Sequence, residues 1–186
     1  MMRVLLLGAP GSGKGTQGPR LARLLGAPHV ALGDLLRVEA STGTGMGAHL
    51  AQIMGRGELV PDELITPLVT GALRASLGGF VLDGYPRTIA QARILDEFLV
   101  RRAAGVDAVL RFRIPEAQLV ERLLSRGRAD DAPETVRARL AVWSAHEAEL
   151  VEHYRGAIVE LDASGDPDEV FERAADALRE HAALAA

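Results

Sequence analysis

GAPGSGKGTQ, Gly8 to Gln17, decides how the rest of the chain is read. It follows a strand-length apolar run, Arg3 to Leu7, and opens a helical stretch, Lys14 to Leu25. In a strand, glycine-rich turn and helix of this kind, backbone N–H groups converge on phosphate oxygens and the helix N-terminus adds its positive dipole end. The spacing is that of a phosphate loop, GxxxxGK[ST], with one departure. Gly15 fills the place of the magnesium-binding hydroxyl, and Thr16 arrives one residue late. Gly11, Ser12, Gly13, Lys14, Gly15 and Thr16 are the candidate phosphate contacts. Lys14 is the only lysine in the chain, every other permanent cation being arginine, so a compact ammonium is required there. It reaches β- and γ-phosphates as a mobile point charge.

Outward from the loop, short apolar strands alternate with helical stretches. Arg3 to Leu7, His29 to Leu32, Phe80 to Asp83, Ala108 to Phe112 and Ala157 to Leu161 read as strands buried on both faces. Lys14 to Leu25, Gly33 to Ala40, a pair across Met46 to Leu77, Ile89 to Arg102, Glu116 to Ser125, Glu134 to Tyr154 and Asp168 to Ala182 read as helices. This alternation predicts an α/β fold with a mostly parallel sheet and helices on both faces. The stretch between the second and third strands is too long for a simple crossover and carries the Gly-rich run Ser41 to Gly47, so a small helical insertion is expected there.

Composition narrows the function classes. At 186 residues, 48% hydrophobic and 25% charged, the chain builds one well-buried core rather than two. Without cysteine it can form neither a disulfide nor a thiolate zinc site, which suits a cytoplasmic protein. No apolar segment approaches the roughly 20 residues of a membrane span, and no signal peptide is expected. A net charge of −4 argues against general affinity for nucleic acid. The five histidines show no ligand spacing, and Trp143 and Tyr154, on a long helix, read as core or surface anchors.

Asp83 ends an apolar strand expected beside the loop strand, where a carboxylate can steer magnesium through bound water. Asp83-Gly84 also reads as plain turn chemistry. Arg122 and Arg126, four apart, share one helix face, which by itself reads first as a solvated helix edge and second as a phosphate clamp.

Beyond the loop, LGDLLR (Leu32 to Arg37), ELVPDELI (Glu58 to Ile65), DGYPRTIAQA (Asp83 to Ala92) and GRADDAPETVRARL (Gly127 to Leu140) follow in the order and spacing of nucleoside monophosphate kinases. From Arg3 to about Leu178 the chain resembles an adenylate kinase of the short-lid type, a family that writes its loop GKGT. The resemblance implies a P-loop core with a five-stranded parallel sheet, in a single kinase domain over 1–186. It also implies a monophosphate-binding insertion near 31–60 and a very short lid near 126–132. The implied reaction is reversible, magnesium-dependent transfer of the γ-phosphoryl of ATP to AMP, giving two ADP. A monomer with no zinc, nucleic acid or membrane partner is expected.

Carried over position by position, the resemblance places Arg37 and Arg87 on the AMP phosphate and Arg122 and Arg126 on the ATP phosphates. Arg128 and Arg139 close over the transferring group and its acceptor. Leu32, Glu58, Leu59, Val60, Gly84, Tyr85 and Pro86 complete the AMP side, and Gly165, in the loop Ala163 to Asp166, meets the ATP adenine. Asp83 takes the magnesium role. Gln91, in the TIAQ pattern, both donates to and accepts from adenine's edge. Asp130 and Asp131 favour the helix start at Pro133. Two departures stand out. Leu32 replaces the Thr usual in adenylate kinases and the Ala usual in UMP/CMP kinases, and only Gly127, Arg128 and Ala129 separate Arg126 from Asp130. A UMP/CMP kinase is the nearest alternative, followed by a catalytically silent nucleotide-binding module. A small-metabolite kinase would need an acid-base carboxylate, for which Asp34 is the obvious candidate.

Overall fold

A computed structural model describes residues 2–74, 76, 78–127 and 132–184, with the backbone alone for Arg126. The elements run β1 (Arg3–Leu7), α1 (Lys14–Leu25), β2 (His29–Ala31), α2 (Leu32–Ala40), α3 (Gly45–Gly55), α4 (Asp62–Leu73) and β3 (Phe80–Asp83). They continue with α5 (Ile89–Val100), β4 (Ala108–Arg113), α6 (Glu116–Arg126), α7 (Pro133–His153), β5 (Ile158–Asp162) and α8 (Pro167–Leu184). All four strand pairings are parallel and the sheet order is β2-β3-β1-β4-β5.

The apolar strand runs explain the layering. Successive side chains of a strand point to opposite faces. Val4 and Leu6 join a layer with Leu21 of α1 and Val170, Ala174 and Leu178 of α8. Leu5 and Leu7 face the other way, into a larger core with Val69 of α4, Leu95 and Leu99 of α5 and Leu150 of α7. A third cluster joins Ala9 of the loop to Leu119 and Leu123 of α6 and Val136 and Leu140 of α7. That small cluster seats α6 and α7 over the phosphate loop.

Three helices, α2–α4, lie between β2 and β3, where helical structure was expected; α2 and α3 fall within 31–60 and α4 beyond it. The second strand is one residue shorter than expected, because Leu32 already opens α2 and its side chain is fully buried. The helical pair ends at Leu73, four residues before the expected Leu77, and other ends move by one or two residues, the usual fraying of element termini. Leu6 and Asp83 are register partners, so the Asp83 strand lies directly beside the loop strand, as expected.

Candidate active site

One cleft of about 650 Å³ opens at the carboxyl ends of β1 and β3, the usual place for a ligand in an open parallel sheet. The phosphate loop forms one wall. Gly13 (φ 98°) leads into Lys14, the first residue of α1, and the N–H groups of Thr16 and Gln17 both donate to the Gly13 carbonyl at 3.0 Å. Gly11 (φ 86°) is required on two counts: its conformation is left-handed, and a Cβ there would lie 2.9 Å from the Leu119 carbonyl oxygen. The Lys14 ammonium donates to the carbonyls of Gly8 (2.6 Å) and Ala9 (2.9 Å) and to Ser12 Oγ (3.2 Å). Its three donors are thereby held in the middle of the loop.

Asp83 reaches the same wall from β3. A Cβ on Gly15 would sit 3.8 Å from Asp83 Oδ2, so the missing side chain leaves the carboxylate facing the loop. One hard oxygen donor beside a phosphate loop fits a magnesium ion held mainly by phosphate and water. No group of three or more metal-ligating side chains occurs among the described residues.

Arg122 crosses from α6, its Nη1 donating to the Ala163 carbonyl at 3.2 Å. It therefore ties the loop wall to the turn that carries Gly165 (φ 95°), also on the cleft.

The opposite wall is cationic. Arg37 folds back over Gly33 to pair with Asp34. Arg87 Nε donates to the Gly84 carbonyl at 2.8 Å, and Arg139 enters from α7. Burial pushes the Arg87 guanidinium down to about 10, and the neighbouring Arg139 and Arg37 cations push the same way against the pull of Asp83. Guanidiniums that oppose one another's charge across open space form a site for a polyanion, which relieves the repulsion.

Most expected residues meet here: Gly11, Ser12, Gly13, Lys14, Gly15, Thr16, Asp83, Arg122 and Gly165 on one side, Arg37, Leu59, Gly84, Pro86, Arg87 and Arg139 on the other. Five do not line the cleft. Leu32 is fully buried in the core, since α2 turns its first side chain inward. Val60 joins the same core. Tyr85 is buried, and its hydroxyl donates to the Gln91 carbonyl at 3.2 Å while burial pushes its pKa up to about 12. Glu58 pairs outside with Arg56 at 2.8 Å, and that hydrogen bond lowers its carboxyl pKa. Gln91 is fully buried with both amide ends engaged, its Oε1 accepting from the Arg87 N–H and its Nε2 donating to Asp62, each at 2.7 Å.

The α6 backbone ends at Arg126, whose side chain, like Arg128, Asp130 and Asp131, lies outside the described residues. Among the lining residues that carried no expectation of contact are His29, Gly57 and Trp143. Trp143 serves both purposes, lining the cleft and packing on two core clusters. No local motif marks these three; helix packing brings them in.

A family model described as adenylate kinase matches residues 6–159. The adenylate kinase of Mycolicibacterium vanbaalenii is 46% identical over 179 residues, covering 95% of this chain and 99% of its own. The adenylate kinase of Mycobacterium tuberculosis matches to the same extent, and that of Mycobacterium leprae is 45% identical over 179 residues.

Proposed function

Because the chain belongs to the adenylate kinase family, we propose that it catalyses reversible transfer of the γ-phosphoryl of magnesium-bound ATP to AMP, giving two ADP. The observation that carries this reading is the two-walled cleft. A phosphate loop with Lys14 and Arg122 faces Arg37, Arg87 and Arg139 across one continuous space. Two anionic nucleotides can therefore meet phosphate to phosphate.

The acceptor is a phosphate oxygen already ionised near neutral pH, so no general base is needed. That oxygen attacks the γ-phosphorus in line as the bond to the β–γ bridging oxygen breaks. The barrier falls through alignment and through cations that follow the migrating charge. Lys14 and the loop N–H groups hold the donor phosphates, and Arg122 follows the γ-group. Arg37 and Arg87 grip the acceptor phosphate, and Arg139 spans both. Arg126 and Arg128 complete the donor side and the closing lid. Magnesium, when bound, would offset the charge of the ATP phosphates, and Asp83 would be the carboxylate that holds it through water.

In this reading the chain is a single kinase domain, with the acceptor insertion over 31–60 and the lid over 126–132. Leu32 contributes backbone and packing to the acceptor side, and Glu58 and Val60 shape its rim. The enzyme works as a cytoplasmic monomer on ATP, AMP and ADP, without zinc, nucleic acid or membrane. No described helix is long and apolar enough to cross a membrane.

The test is a panel assay of purified protein with magnesium, ATP and AMP, CMP, UMP, GMP or shikimate in turn, counting ADP. AMP is expected to be the fastest acceptor. A pyrimidine monophosphate in first place would make the chain a UMP/CMP kinase, and ATP binding without turnover of any acceptor would make it a silent module.

A further inference from the structure

The turn between β5 and α8, residues 163–166, carries Gly165 and is held from both ends. On its β5 side Arg122 donates to the Ala163 carbonyl, and Arg173 donates to the carbonyls of Asp162 and Ser164. On its α8 side the holders come from α1. Gln17 Nε2 donates to the Pro167 carbonyl at 2.7 Å across 150 residues of sequence, and Arg20 Nη1 donates to the same oxygen at 3.0 Å. Arg20 also pairs with Asp168 at 2.8 Å and lies over the Phe171 ring, 4.3 Å from its centre. The first turn of α8 closes back on Asp166, whose carbonyl accepts from the Val170 N–H. A hold on Pro167 is therefore a hold on the end of the turn.

Gln17 differs from the three arginines. It is buried, at 2% exposure, whereas Arg20, Arg122 and Arg173 are all partly or fully exposed. It also directly follows Thr16, with its own N–H bonded to the Gly13 carbonyl in the phosphate loop. Backbone and side chain thus grip two parts of one cleft, the loop and the Gly165 turn, and both Gln17 and Pro167 line it. Only the NH2 end of the amide is used. Oε1 is buried with no hydrogen-bond partner among the described residues. A buried acceptor left unpaired costs at least as much as one net hydrogen bond returns. The amide therefore gives the fold no net stability, and an apolar side chain of the same length would serve folding as well. What glutamine adds is position.

We infer that Gln17 is a positioning residue for the donor nucleotide: by tying α1 to Pro167 it fixes the span between the phosphate loop and the Gly165 turn. The inference rests on the reading above that ATP is the donor, with its adenine against that turn. Triphosphate and base then enter one rigid site, and seating one end places the other with little further loss of freedom. Without the tether the two seats move independently, and the base contributes less to affinity. A donor that has no base has nothing to lose.

The test is the Kd of magnesium-ATP and of magnesium-tripolyphosphate, which has the phosphates without the nucleoside, by titration calorimetry in wild type and Gln17→Met. Methionine matches glutamine in length and cannot donate to Pro167. The Kd for ATP is expected to rise about tenfold, the worth of one orienting bond, with tripolyphosphate within about twofold of wild type. A variant that fails to fold, or that weakens both ligands together, shows a purely structural role and overturns the inference. So does an unchanged Kd for ATP. Arg20→Met removes the second donor to the same carbonyl from a more exposed position. It is expected to raise the Kd for ATP about threefold, again without tripolyphosphate, and an equal rise for both ligands is equally fatal. Wild type that binds ATP no more tightly than tripolyphosphate would instead refute the reading of the donor site, before any variant is compared.

Discussion

The hydroxyl of Thr135, in the first turn of α7, donates to the carbonyl of Gly55 at the end of α3, 2.8 Å away. Just beyond, Gly57 (φ 72°) lies so close that a Cβ would stand 2.8 Å from the Thr135 carbonyl oxygen and 3.1 Å from Arg139 Cγ. The last carbonyls of a helix have no partner within it. Here one is satisfied by the same helix that carries Arg139, so the insertion and an acceptor-side arginine share a footing.

Thr135→Val keeps the shape and removes the donor. The Gly55 carbonyl then loses this partner and buried Thr135 its hydrogen bond, at a cost of about 1 kcal/mol. A thermal melt should register the loss, and amide exchange should quicken around 55–60. Unaltered exchange there would mean that the bond does not hold the insertion to α7.

Leu32→Thr restores the residue usual in adenylate kinases. Because Leu32 is fully buried, the change removes apolar volume and buries a hydroxyl, costing about 2–3 kcal/mol. KM for AMP should not improve. A tighter KM would show that the side chain at this position reaches the base after all.

Arg87→Met separates stability from turnover. The Arg87 cation is disfavoured in the fold, its pKa pushed down to about 10 first by burial and then by Arg139 and Arg37. The group is charged in both folded and unfolded chains at neutral pH, so the penalty is fully present there and is relieved only as pH rises above about 10 toward the higher unfolded value. Without nucleotide, the variant should melt about 2–4 °C higher at pH 7. Its turnover of AMP should fall about 10²–10³-fold. A lower melting temperature would show that Arg87 is held by favourable contacts rather than tolerated for its charge.

Lys14→Arg asks whether charge alone suffices in the phosphate loop. The ammonium fits among three oxygens at 2.6–3.2 Å, a space shaped for a compact tetrahedral donor. A planar guanidinium does not match it, and kcat should fall about 10²–10³-fold. Activity within threefold of wild type would refute that steric account.

The loop, the parallel sheet and the placement of Asp83 beside β1 were legible because each rests on a contiguous pattern. Glycine spacing, alternation of strand and helix, and an acid at a strand end can all be read within about ten residues. What escaped depends on partners distant in sequence. Nothing near Gln91 announces that Asp62 will occupy its amide, and nothing near Leu32 says that α2 begins one residue early and turns it inward. Glu58 was drawn into the site by its motif, while the residue that engages it, Arg56, lies outside that motif. Motif position gave the neighbourhood of these side chains, and tertiary packing decided which way each one points.

The cleft also has a consequence for how nucleotides arrive. Its lining carries five permanent cations, Lys14, Arg37, Arg87, Arg122 and Arg139, against the carboxylates of Asp34 and Asp83. The chain as a whole carries −4. The acidic exterior therefore repels phosphates at long range, while the low-dielectric walls of the cleft focus an attractive field at its mouth. Capture becomes a matter of kinetics: nucleotides are steered over the last Debye length, about 8 Å at physiological ionic strength. Association should slow as salt is added, even where the affinity of the seated nucleotide changes little.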